Sequence, residues 1–85
     1  MNKTYSIILK HPNLISSEKT VLMYLSNISI YNKASISLIE ISEAIGITKP
    51  TVVKALHSLE EKGLIKKSNE GKRYSKNIYE LIPLN

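Results

Sequence analysis

The chain has 85 residues, enough for one domain that buries roughly 60% of its unfolded surface, so its stability margin is thin and a second copy would widen it. Its formal charge of +5, from 12 Lys and Arg against 7 acidic residues, points to an anionic partner. The lack of cysteine excludes disulfides and thiolate metal sites, and no apolar run approaches the ~18 residues of a membrane span.

The start of the chain lacks the basic-then-apolar layout of a signal peptide, which leaves a soluble, cytoplasmic protein as the expectation. The stretch TYSIILKHPNL reads as extended or marginally helical, with Tyr5, Ile7 and Leu9 on one side if it is a strand and Pro12 closing it. A first helix follows from Ser16. Ser16 or Ser17 supplies the cap, Glu18 sits in the positive first turn, and Val21, Leu22, Leu25 and Ile28 share a face. Tyr24 and Tyr31 widen that apolar surface beyond the needs of one small core and are candidates for a subunit contact.

Ile36 supplies a short strand, and Ser37 with Glu40 forms a capping box that opens a second helix. Ile41, Ala44 and Ile45 face inward, and Gly46 ends the helix in a tight turn. A third helix begins at Thr48, which suits an N-cap, with Lys49 and Pro50 in the first turn, and it runs to about Lys62. Val52, Leu56 and Leu59 make its buried stripe. Gly63 is then the left-handed residue of a Schellman ending, with Leu64 folded back on Leu59. The segments LIKKS and NIYELI alternate as two strands around the polar loop NEGKRYSK, whose Gly71 makes the turn, and Pro83 stops the second strand.

Residues 40 to 65, EISEAIGITKPTVVKALHSLEEKGLI, resemble the winged helix-turn-helix family of DNA-binding domains. The most specific elements are Gly46, Thr51 with Val52, Leu56, Leu59, and the exit Gly63-Leu64-Ile65. Ser42 departs from the alanine more usual at the tight crossing of the two helices, and its hydroxyl is expected to bond back to a helix carbonyl. The resemblance implies a mainly α fold with a small β-hairpin: a three-helix core plus a β-wing. Residues 15–85 are assigned to this domain and residues 1–14 to an N-terminal arm, a candidate dimerisation segment.

With Val52, Leu56 and Leu59 inside, the opposite face of the third helix presents Thr48, Lys49, Pro50, Thr51, Val53, Lys54 and His57, rich in donors and free of carboxylates. Such a helix start offers hydroxyls, backbone N–H groups and a positive dipole end to phosphates and base edges in a major groove. Val53 and the Thr51 methyl suit thymine methyls, while Lys54 and His57 suit guanine or phosphate. By the resemblance, Lys72 and Arg73 on the wing loop reach the flanking minor groove or backbone.

Catalysis is not expected, because the chain has no aspartate or cysteine and its two histidines lack evident partners. No cofactor or metal is implied. The sequence therefore reads as a double-stranded DNA-binding homodimer, with Tyr5, Ile7, Leu9, Tyr24 and Tyr31 as the candidate dimer interface. A transcriptional regulator is the leading role. The alternative is an adaptor for plasmid or phage segregation or replication initiation, working with a segregation NTPase or a replication protein; a winged domain that binds only protein ranks below both.

Overall fold

The computed structural model describes residues 8, 10–68 and 76–82. In chain order these form α1 (Ser16–Ile28), β1 (Lys33–Ser37), α2 (Leu38–Ile45), α3 (Lys49–Glu61), β2 (Ile65–Ser68) and β3 (Lys76–Leu81). The strands make one antiparallel sheet in the order β1-β3-β2, so the expected hairpin gains β1 on its other edge. Register sets Ala34 opposite Tyr79 and Lys67 opposite Tyr79 from the two sides, which brings the segment around Ile36 and the wing into one layer.

Helix α1 buries Val21, Leu22 and Leu25, as its apolar spacing requires. Its start differs from expectation. The N-cap is Ile15, which has no side-chain acceptor, so only the reciprocal half of a capping box forms, with Glu18 accepting the Ile15 N–H at 3.1 Å. Tyr24 is half-buried against the core, whereas Tyr31 is 94% exposed, so only the second of these tyrosines stands clear of the domain. Tyr31 and Asn32 both have positive φ, 52° and 64°, and Ile30 and Lys33 exchange backbone hydrogen bonds across them. That pair is a two-residue hairpin turn of the type that matches strand twist.

Ser37 and Glu40 form the capping box of α2: the Ser37 hydroxyl accepts the Glu40 N–H at 3.2 Å, and Glu40 accepts the Ser37 N–H at 3.0 Å. Ile41 is buried and Ile45 half-buried, but Ala44 is exposed, so the inward face of α2 is narrower than its apolar spacing predicts. The third helix buries Val52, Ala55, Leu56 and Leu59. Its end is the expected Schellman motif, with Gly63 at φ 75°, its N–H on the Glu60 carbonyl and the Leu64 N–H on the Leu59 carbonyl, both at 3.0 Å.

The core joins these helices to the inner face of the sheet through Ala34, Ile36, Ile65, Tyr79 and Leu81. Tyr79 is buried to 1% exposure, and burial raises its pKa while a hydrogen bond donated by Asn77 to its hydroxyl at 3.3 Å opposes the rise. Ile8, which is helical and fully buried, and Leu14 also belong to this core, so part of the arm packs on its own domain. Tyr5, Ile7, Leu9, Lys72, Arg73, the Gly71 turn and Pro83 lie outside the described residues.

Candidate nucleic-acid interface

The first two turns of α3 carry the candidate surface. Thr48 occupies the N-cap position in extended conformation, and its carbonyl accepts the Val52 N–H at 3.0 Å. Its hydroxyl does not cap the helix. It pairs instead with the Thr51 hydroxyl at 3.1 Å, and Pro50 has no N–H to satisfy. A helix start leaves its first amides without intrahelical partners. The result is a surface of two coupled hydroxyls and first-turn amides at the positive end of the helix dipole.

Of the residues expected on this face, Thr48, Lys49, Pro50, Lys54 and His57 are exposed, and Thr51 and Val53 are half-buried. Val53 and His57 line a small cleft of about 30 Å³ with Leu38, Leu56, Glu60, Ile65, Lys67 and Tyr79. Val53 therefore spends part of its surface against the sheet, and Glu60 lines the same cleft as the histidine. Lys67 is an addition: β2 places its exposed side chain at the same cleft as His57. Lys49 adjoins the start of α2, where Ser37, Leu38 and Ile39 border a hollow of about 150 Å³ with it. Two helix starts and a lysine thus share one side of the domain.

The turn between α2 and α3 is held locally. Gly46 is left-handed at φ 68°, and its N–H and that of Ile47 both reach the Ser42 carbonyl, at 3.0 and 3.3 Å. The Ser42 hydroxyl donates forward to the Ile47 carbonyl. The expected bond back to a helix carbonyl is replaced by a brace across the turn, because the tight reversal brings the Ile47 carbonyl closer.

At the other end of α3, Lys62 donates to Glu18 Oε1 at 2.8 Å and to the Asn13 carbonyl at 2.6 Å. Glu18 is 5% exposed. Burial pushes its pKa up, but hydrogen bonds from Lys62, Ser58 and the Ile15 N–H, with the lysine's charge, outweigh that and hold it below the ordinary 4.5. No local pattern announced this contact.

No curated protein matches the sequence as a relative. Among solved structures the chain is similar to Lactococcus lactis ZitR in complex with DNA, at 26% identity and a TM-score of 0.67, over 86% of this chain and 46% of that one. ZitR is described as a zinc-responsive MarR family member. Bordetella bronchiseptica BpsR, whose DNA binding is regulated by 6-hydroxynicotinic acid, matches in fold at 20% identity and a TM-score of 0.67, over 94% of this chain and 56% of that one. The adhesin competence repressor AdcR of Streptococcus pyogenes matches in fold at 19% identity and a TM-score of 0.65, over 93% and 55%. The chain thus spans about half the length of the structures it resembles. The model of the MarR family matches residues 22–70, more than half of the sequence, from within α1 through both helices of the turn and the second strand, and the chain belongs to the MarR family.

Proposed function

We propose that this protein binds double-stranded DNA sequence-specifically, with the first two turns of α3 in a major groove, and that it regulates transcription. One surface carries the reading: the exposed, carboxylate-free start of α3, with its Thr48 and Thr51 hydroxyls, Lys49 and Lys54, on a fold that ZitR presents in complex with DNA. Lys54 and Thr51 read bases, His57 and Lys67 meet base edge or phosphate, and Lys72 and Arg73 of the wing loop hold the flanking backbone. Among the described residues no three His, Cys, Asp or Glu side chains come together in a group that could hold a metal ion.

The working unit is a homodimer. One short recognition helix reads few base pairs, and two copies on half-sites about 34 Å apart supply the missing affinity. The exposed Ile30 and Tyr31 at the start of the sheet, with Tyr5, Ile7 and Leu9 of the N-terminal arm, are the residues assigned to that contact; Tyr24, already packed on the core, contributes less. A location in the cytoplasm fits this role, and among the described residues no helix is long and apolar enough to cross a membrane. Membership of the MarR family favours regulation over service as a segregation or replication adaptor. Genomic neighbours separate the two, since a segregation NTPase beside an array of repeated sites supports the adaptor and one palindrome at the protein's own promoter supports regulation.

The test is selection of bound sites from genomic fragments, followed by fluorescence anisotropy on the selected duplex. Log affinity should fall linearly with log salt, with a slope near −0.9 for each phosphate neutralised. No binding to any duplex at low salt overturns the proposal. Sedimentation at micromolar concentration tests the dimer, which Tyr31→Glu is expected to weaken.

A further inference from the structure

The contact between Lys62 and Glu18 joins segments 44 residues apart in the chain, and Glu18 also borders a hollow of about 370 Å³ with Thr51, Lys54 and Ser58. Lys62 is the C-cap residue of α3, Glu18 stands in the first turn of α1, and the Asn13 carbonyl belongs to the turn that precedes α1. The carboxylate is almost fully buried and gathers the Ile15 N–H at 3.1 Å, the Lys62 ammonium at 2.8 Å and a hydrogen bond from Ser58, so its position is fixed from α1 and from two points on α3. A surface ion pair between two flexible side chains would have no such constraint.

We propose that Lys62 and Glu18 are positioning residues for sequence readout: they anchor the far end of the recognition helix and so set where Thr48 and Thr51 lie in the groove. This rests on the DNA-binding reading above. The 13 residues of α3 form a lever whose fulcrum is this anchor. At 1.5 Å per residue the helix is about 20 Å long, and a tilt of about 10° at its C-terminal end moves the first turn by about 3 Å. A hydrogen bond to a base edge tolerates a few tenths of an ångström in length. The Ser42 brace holds the near end to α2 only, so it fixes the turn and leaves the tilt of α3 against α1 to the anchor and the apolar stripe. Affinity for phosphates, which depends on charge more than on angle, is far less sensitive to that tilt.

The decisive variant is the double substitution Glu18→Gln with Lys62→Met, which removes the Lys62 tether without leaving a buried charge uncompensated and keeps an acceptor at residue 18 for Ser58. Affinity is measured by anisotropy for the selected duplex and for a random duplex, below the melting temperature found by circular dichroism. The expected result is a loss of at least tenfold on the selected site with a change under threefold on random DNA, while Lys62→Arg, which retains a donor to the carboxylate, stays close to wild type on both. Equal losses on the two duplexes would make Lys62 a plain phosphate contact and overturn the proposal, as would unchanged affinity on both. If the double variant does not fold, Glu18→Gln alone carries the same expectation at about threefold. If the wild type binds no duplex, the functional reading fails and amide spectra judge the anchor: shifts at Lys49, Thr51 and Val52 in the variant support the lever, and shifts confined to the neighbours of residues 18 and 62 overturn it.

Discussion

Replacing Gly46 with alanine isolates the backbone cost of the turn between α2 and α3. The residue sits at φ 68° and ψ 31°, with its N–H on the Ser42 carbonyl, and a Cβ added there meets nothing within 4 Å. No side chain needs to move. What remains is the penalty of an L-residue in the left-handed region, about 1–2 kcal/mol. Alanine also narrows the unfolded ensemble relative to glycine, which offsets about 0.4–1 kcal/mol of that. The net destabilisation is about 1 kcal/mol, or a fall in Tm of about 4–8 °C for a domain of this size. Because the added methyl points into open space, the angle between the two helices is retained, and DNA affinity well below the melt should stay within about twofold of wild type. Gly46→Asn should cost less than Gly46→Ala, since asparagine enters this region more readily. Urea unfolding followed by far-UV circular dichroism measures the loss, and anisotropy measures the binding. A variant as stable as wild type, or one destabilised by more than about 3 kcal/mol, would refute the reasoning, the first by denying the strain and the second by denying the open space.

Leu59→Ala removes a fully buried side chain from α3 and is expected to cost about 2–5 kcal/mol, a large part of the margin of so small a domain; a change in unfolding free energy under about 1 kcal/mol would contradict its place in the core. Thr51→Ala and Lys54→Ala should each lose about 1–3 kcal/mol on the selected duplex and relax base preference, whereas Arg73→Ala should weaken all sequences alike and lower the salt slope by about one, both read by anisotropy. Glu18 adds an acid-sensitive component to stability. Its folded pKa lies below the ordinary 4.5, so its contribution is fully present above that value and is lost as pH falls through the folded value. Glu18→Gln should therefore be destabilising near neutrality and progressively less so in acid, and a penalty that grows as pH falls would reverse the assignment.

The helix-turn-helix was legible because its signals are short-range. The capping box of Ser37 and Glu40, the left-handed Gly46, the stripe of Val52, Leu56 and Leu59 and the Schellman exit at Gly63 and Leu64 each depend on residues within a few positions of one another, where backbone geometry dictates which groups meet. The same locality explains the errors. Thr48 has the right residue type for a cap, but its hydroxyl has two acceptable partners one turn away, and the backbone amide lost to Thr51. Ala44 follows the apolar pattern of α2 but nothing packs over it, and either serine before Glu18 looked as suitable a cap as the next.

Sequence alone determined the three helices, the wing strands, the donor-rich start of α3 and, through their order, the fold. Tertiary structure decided which parts of that surface remain available. Val53 turns partly into the cleft under the sheet, Lys67 arrives at the same cleft as His57, Tyr24 packs on the core while Tyr31 stands out, and Lys62 crosses to Glu18. Each of these depends on segments brought together from distant positions, and the free energy of such a contact comes from burial and mutual orientation that a periodic pattern does not encode. A lysine after Glu61 and a glutamate after Ser17 are common helix-end residues by themselves. Only the packing of α1 across α3 makes them a pair.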